Sequence, residues 1–266
     1  MTDADRERLR STFDQAAELY ARARPGYPSA LFDDLAELAG IGPGSRVLEI
    51  GPGTGQATVP LAERGYRIVA VELGADLAGV ARRHLARFPS AQVVTAAFED
   101  WPLPTEPFDL VLAATAFHWI DPAVRVAKAA DALRPGGALA TITIHHVAGG
   151  DEAFFAEVQA CYLRWDPETQ AGLRLPTATQ VPSSSDELDR SGRFGPAVFR
   201  RFEWELSYST AGYLETLLTY SGHIALDPAS QTGLLDCIAR LIDTRYGGQI
   251  AKSYLTELRV ASTNAA

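Results

Sequence analysis

Residues 47–58 read VLEIGPGTGQAT, and Glu72 closes the next apolar run. No other stretch restricts the possible folds as much. Val47-Leu48-Glu49-Ile50 predicts a short buried strand. Gly51, Gly53 and Gly55 predict a turn that side chains would obstruct, and helical periodicity starts at Gln56. Strand, glycine loop and helix together form a nucleotide-binding element. Two cofactor classes use such an element: one carries a pyrophosphate, the other a sulfonium and an amino acid.

The spacing discriminates between them. A loop that wraps a ligand with its backbone needs positive φ or close approach, which glycine allows cheaply. The dinucleotide pattern is G-x-G-x-x-G, whereas here the glycines stand at 51, 53 and 55. Glu49 lies two positions before the first of them. A carboxylate there is poorly placed beside a pyrophosphate and well placed beside an ammonium group. Glu72, at the end of the second predicted strand, can accept hydrogen bonds from both ribose hydroxyls, and Leu73 beside it joins the expected cofactor contacts. The competing reading is a tight strand–helix turn with no ligand, which an acid on each side of the glycine triplet disfavours.

With these residues in place, the chain resembles the class I S-adenosylmethionine (SAM)-dependent methyltransferases. The resemblance is carried by Glu49-Ile50-Gly51-Pro52-Gly53-Thr54-Gly55, Glu72, Phe108-Asp109-Leu110-Val111 and Leu133-Arg134-Pro135-Gly136-Gly137. It covers nearly the whole chain and is strongest to a small-molecule, methyltransferase-domain (type 11/25-like) branch. The N-terminus of that branch reads F-x-x-x-A-x-x-Y-x-x-x-R-P-x-Y-P, matched here by Phe13 through Tyr20 and Arg24 through Pro28. The resemblance implies SAM as the cofactor. Tyr20 would close on its methionine part and Arg24 would pair its carboxylate. The third strand of such enzymes usually ends in an acid that bonds the adenine amino group. Here Ala97 stands at that position, so Phe98 is expected to supply a ring contact and a backbone N–H, with Glu99 as a substitute acceptor.

Alternating strands and helices predict an α/β fold: a doubly wound, Rossmann-like, mostly parallel seven-stranded sheet with a helical cap or lid. The resemblance makes the last strand antiparallel and places it inside the sheet edge. Expected strands are 46–50, 67–72, 92–95, 108–113, 137–144, 198–209 and about 254–262. Expected core helices are 55–64, 75–87 and 122–133. The chain divides into an N-terminal helical cap (1–40, with helices 5–22 and 28–39), a cofactor-binding core (41–145), a lid and acceptor-pocket insertion (146–197, opening with a helix over 151–165), and a C-terminal part (198–266) with cap helices at about 210–245.

Composition narrows the partners. The 266 residues carry a net charge of −9 with no basic stripe, and 47% are apolar, which disfavours nucleic-acid binding. No apolar run has the length of a membrane span, and the first residues lack a signal-peptide core. Cys161 and Cys237 are isolated, without metal spacing, and are expected to be reduced, buried thiols of a cytoplasmic protein. No metal is expected. The oligomeric state is not readable.

Methyl transfer from a sulfonium needs alignment and water exclusion more than bond-breaking chemistry, so the base is less legible than the cofactor site. Thr115 and Ala116, after the fourth strand, are expected against the cofactor by backbone. His118 is a candidate base or carbonyl partner, and Tyr20 a second catalytic candidate. His145 and His146 follow the fifth strand; adjacent residues of an extended chain point apart, so at most one faces the site, and His145 is the third candidate. His223 is a candidate for the acceptor pocket. The resulting expectation is a methyltransferase acting on a small molecule or short peptide, on oxygen by the habit of the branch it resembles. A non-catalytic SAM-binding protein and an NAD-dependent oxidoreductase are the competing readings.

Overall fold

Strand β1 (Arg46–Ile50) shows why a parallel sheet forms. Its side chains alternate between two buried faces: Val47 joins one apolar cluster, and Leu48 and Ile50 join another. β4 (Phe108–Ala114) repeats this, with Leu110 and Leu112 on the first face and Val111 and Ala113 on the second. Strands apolar on both faces must be covered on both faces. The computed structural model, which describes residues 14–166 and 168–264, shows that arrangement. The other strands are β2 (Arg67–Glu72), β3 (Ala91–Thr95), β5 (Leu133–Gly150), β6 (Val198–Ser209) and β7 (Gln249–Ser262), in the order β3-β2-β1-β4-β5-β7-β6. β7 is antiparallel to both β5 and β6, as the resemblance implied. The order reverses beside β1, which pairs with β2 on one side and β4 on the other. In an open α/β sheet the crevice lies outside the carboxyl ends of the strands at that reversal.

Helices α1 (Ala17–Ala23) and α2 (Ser29–Ala39) precede the sheet. Leu31, Phe32 and Leu35 of α2 pack into the first cluster, and Gly40, at φ 61°, stops the helix by donating its N–H to Ala36, as left-handed caps do. The expected helix over 5–22 is seen from a 3-10 turn at Asp14–Ala16 into α1. Phe13 and the charged run at 6–10 lie outside the described residues. α3 (Thr58–Glu63) begins later than the expected 55, because Gly55 at φ 99° cannot be helical. α4 (Ala75–Leu85) and α5 (Arg125–Ala132) complete the core crossovers.

Larger corrections concern the second half. β5 was expected to end at 144 but runs to Gly150. β7 starts at Gln249, and its pairing explains both: His146 faces Tyr254, and after a register shift Gly150 faces Lys252. The expected helix over 151–165 is two, α6 (Glu152–Glu157) and α7 (Gln159–Trp165), which meet at Val158. After α8 (Asp186–Ser191) and β6 come α9 (Thr210–Leu217), α10 (Ser221–Ile224) and α11 (Pro228–Arg245). A third apolar cluster joins α6, α7, α9 and α11 through Phe154, Cys161, Tyr213, Leu234 and Ile238. Within it Cys161 and Cys237 form a disulfide. The expectation of reduced thiols is therefore corrected. The two cysteines are 76 residues apart in the chain, and only the packing of α7 on α11 brings them together.

Candidate functional site

The glycine loop forms the floor of a cleft of about 980 Å³ at the carboxyl ends of β1, β2 and β4. Its shape follows from backbone that only glycine tolerates well. Gly51 has φ 65°, and a Cβ added there would stand 2.7 Å from the Ala116 Cβ. Gly53 has φ 59°, and its Cβ would meet the Tyr20 ring at 3.5 Å. Gly51 and Gly53 line the cleft; Gly55 does not. Gly55 instead donates its N–H to Pro52 O and accepts from Val59 N, turning the chain into α3.

Two carboxylates point into this space. Glu49 is 1% exposed and lines the cleft, and its Oε2 has no hydrogen-bond partner among the described residues. Burial pushes its pKa up from the ordinary 4.5 to about 7. An unpaired buried carboxyl is costly unless a cation or donor meets it. Glu72, at 6% exposure, accepts from Gly53 N and Gly74 N, one on each oxygen and both at 2.9 Å. It thereby ties the end of β2 to the loop after β1. Leu73 and Phe98 also line the cleft, and Phe98 is 2% exposed. Ala97 does not reach it; its carbonyl accepts from Asp100 N and Trp101 N, and Ala96 lines the wall in its place. Glu99 is turned elsewhere, with Oε1 accepting from Asp121 N.

The N-terminal segment closes the mouth. Pro25 disfavours helical geometry at the residue before it, so α1 ends at Ala23 and Arg24 is extended. Its guanidinium lies 5.3 Å from the Tyr20 ring centroid and 4.5 Å from that of Tyr220, and Nη1 donates to Thr219 Oγ1. Tyr20, Arg24 and Tyr27 all line the cleft. The Tyr27 hydroxyl lies 3.3 Å from Thr115 Oγ1. Thr115 has φ 52°, the only non-glycine in the left-handed region among the described residues. Such strain in a wall residue is held by its surroundings and tends to mark functional sites.

A chamber of about 760 Å³ continues the cleft past Arg24, Thr115 and Trp119, bounded by His118, His146, Tyr220 and Tyr254. His146 lies edge-on to Tyr220, with ring centroids 5.2 Å apart, and its Nδ1 is buried without a partner. Burial, with the charges of Lys252 and Arg24, lowers its pKa to about 3 and keeps the ring neutral. His118 sits on the 3-10 turn Phe117–Trp119. Removal from bulk water, with the Arg125 and Arg24 charges, lowers its pKa too. His145 does not line the cleft or the chamber. With His118, Glu257 and Arg259 it borders a separate polar cavity, as alternation along β5 requires once His146 faces the chamber. His223 bonds the Tyr162 hydroxyl at 2.9 Å, behind the chamber wall.

Of the expected site residues, the cleft thus gathers Tyr20, Arg24, Glu49, Gly51, Gly53, Glu72, Leu73, Phe98 and Thr115, and omits Gly55 and Ala97. Tyr27, Tyr220 and Tyr254 border the site without having been singled out for it, and of the two adjacent rim histidines it is His146, not His145, that lines the chamber. Tyr27 lay in the N-terminal motif that carried the resemblance, with no role assigned to it. Tyr254 stood at the first residue of the expected last strand, where no facing direction was assigned to it; the alternation Lys252, Tyr254, Thr256, Leu258 was the available signal. No group of His, Cys, Asp and Glu among the described residues could hold a metal ion. No helix among them is long and apolar enough to cross a membrane.

Residues 48–141 match the family described as "Methyltransferase domain". The chain is 38% identical over 131 residues to an uncharacterised methyltransferase of Mycobacterium tuberculosis, covering 49% of this chain and 51% of that one. It is 32% identical over 162 residues to an uncharacterised methyltransferase of Geobacillus thermodenitrificans, covering 57% of this chain and 73% of the relative. The chain thus spans about half the length of the mycobacterial relative it matches. Among solved structures, a candidate type II methyltransferase from Anaeromyxobacter dehalogenans superposes with a TM-score of 0.65 at 25% identity, over 91% of this chain and 99% of that one.

Proposed function

The chain belongs to the class I SAM-dependent methyltransferases, and from that membership we propose that it methylates a small-molecule or short-peptide acceptor on oxygen. SAM is the cofactor. The observation that carries the reading is Glu49: a buried carboxyl with an orphaned oxygen, beside Gly51, where an added Cβ would clash with Ala116. An α-ammonium group supplies the missing partner for Oε2. When bound, SAM supplies a methyl already activated on a sulfonium.

The residues divide the remaining work. Gly51 and Gly53 offer a backbone floor, and Glu72, held by the Gly53 and Gly74 N–H groups at the end of β2, is placed where a carboxylate would accept from the ribose hydroxyls. Phe98 packs against the adenine. Arg24 would pair the methionine carboxylate, and Tyr20, which also lines the cleft, would shut its mouth against water. Segment 146–197, with the helices at about 210–245, serves as lid and acceptor wall; Tyr220 and Ser221 at the chamber rim support this. His146 Nδ1 is free to bond and orient the acceptor group. With a pKa near 3 it positions that group rather than holding its proton at neutral pH. His118 borders both the chamber and the polar cavity behind it, which suits a path for a released proton.

Calorimetry tests the reading. The protein should bind S-adenosylhomocysteine and ignore NADH, and Gly53→Arg, which fills the loop, should abolish the binding. NADH binding in preference, or unchanged affinity in the variant, would overturn it.

A further inference from the structure

The chamber's aromatic lining invites comparison with a cage for a cationic amine, since ring faces attract ammonium groups. Those faces are already occupied by the protein's own cations. Arg24 lies over Tyr20 and Tyr220. The Lys252 ammonium lies 4.5 Å from the Phe155 centroid and 5.3 Å from that of Tyr254. The Tyr254 ring also stacks on Trp204, at 4.9 Å. Its hydroxyl is 2.7 Å from that of Tyr208.

The charge inventory is equally one-sided. Among the described residues, none that lines the chamber is acidic. Lys252 is 5% exposed, and neither it nor Arg24 forms an ion pair with an acidic side chain among the described residues. Burial lowers the Lys252 pKa to about 8, which leaves the ammonium charged at neutral pH. Lys252 does not line the chamber itself, but its ammonium rests against Tyr254, which does, and its charge helps to lower the His146 pKa. A protein of net charge −9 therefore keeps a positive, acid-free chamber beside its cofactor cleft. A buried cation without a counterion is unfavourable by itself and becomes favourable when an anion arrives.

From these placements we infer that the acceptor is a small organic anion, drawn into the chamber by the charges of Arg24 and Lys252 and enclosed by Trp119, His146 and Tyr220. The inference rests on the methyl-transfer reading above and specifies its acceptor. Where Arg24 is engaged by the cofactor's carboxylate, the Lys252 charge behind Tyr254 remains to attract the acceptor. The neutral His146 and His118 add hydrogen-bonding capacity without adding charge.

Titration calorimetry on the protein saturated with S-adenosylhomocysteine tests this with three probes of similar shape: benzoate, benzamide and benzylamine. Benzoate should bind more tightly than benzamide by on the order of tenfold, the scale of one unit charge acting across a partly buried site, and benzylamine should bind weakest. Lys252→Met, which keeps the side chain's length and removes a buried unpaired charge, should erase most of the benzoate preference and leave S-adenosylhomocysteine affinity unchanged. Lys252→Arg should retain the preference. Benzylamine binding as well as benzoate, or a Met variant that binds benzoate like the parent, would overturn the inference. Should the Met variant fail to fold, the three-probe ranking on the parent protein decides alone. Absence of S-adenosylhomocysteine binding would instead overturn the cofactor reading, and the same probes on the free protein would still test the chamber.

Discussion

Glu49 is the residue whose chemistry gives the sharpest test. Its pKa of about 7 arises from burial, and pairing with an ammonium group requires the carboxylate form. Below about pH 7 the carboxyl must lose a proton before it can pair. Affinity for S-adenosylhomocysteine should then fall by up to about tenfold per pH unit as the pH drops through and below 7. Glu49→Gln should bind more weakly at pH 8 and lose that slope, as calorimetry at several pH values would record. A parent protein with a flat profile between pH 5.5 and 7.5 would remove the ammonium from this carboxylate. The residue's place was legible from two glycine spacings and an acid. Its ionisation was not, because burial belongs to the packed strand.

At the scale of elements, the disulfide between α7 and α11 makes a separate prediction. It sits in the apolar cluster that supports the chamber wall, beside Tyr162, whose hydroxyl holds His223. Cross-linking residues 76 apart removes loop entropy from the unfolded chain, typically worth about 2–4 kcal/mol. Urea unfolding with and without reductant, repeated on Cys161→Ser, should show a loss of that size. An unchanged midpoint would mean the bond adds nothing to stability. Neither cysteine announces its partner in sequence, since pairing depends on helices that pack through tertiary contacts. β5 and β7 give the same lesson. Their extensions past 144 and before 254 are stabilised by each other, from His146 opposite Tyr254 to Gly150 opposite Lys252. No local window contains both halves of that ladder.

For the whole molecule, the cleft is assembled from distant pieces: Arg24 before the sheet, Glu49 and Glu72 within it, Thr115 after β4. A ligand that joins them should stabilise the molecule as a unit. S-adenosylhomocysteine at a hundredfold its Kd should contribute about 2.7 kcal/mol, a rise in Tm of roughly 5 °C or more for a chain of this size, readable by scanning calorimetry. Gly53→Arg should show no such rise. The N-terminal segment takes part in this closure through Arg22 with Glu215 and Thr216 with the Ala23 carbonyl, contacts that pin it to α9.

Local pattern was enough for the alternation of strands and helices, the glycine loop with its two flanking acids, and the methyl donor they imply. These depend on side-chain period and on glycine's backbone freedom, both properties of short windows. Tertiary structure decided which of two adjacent histidines faces the chamber and where Lys252 rests. It also decided that Gly55 and Ala97 stay outside the cleft and that two distant cysteines meet. Those outcomes follow from strand register, burial and charge between segments far apart in the chain, quantities that exist only once the sheet and its covering helices have packed.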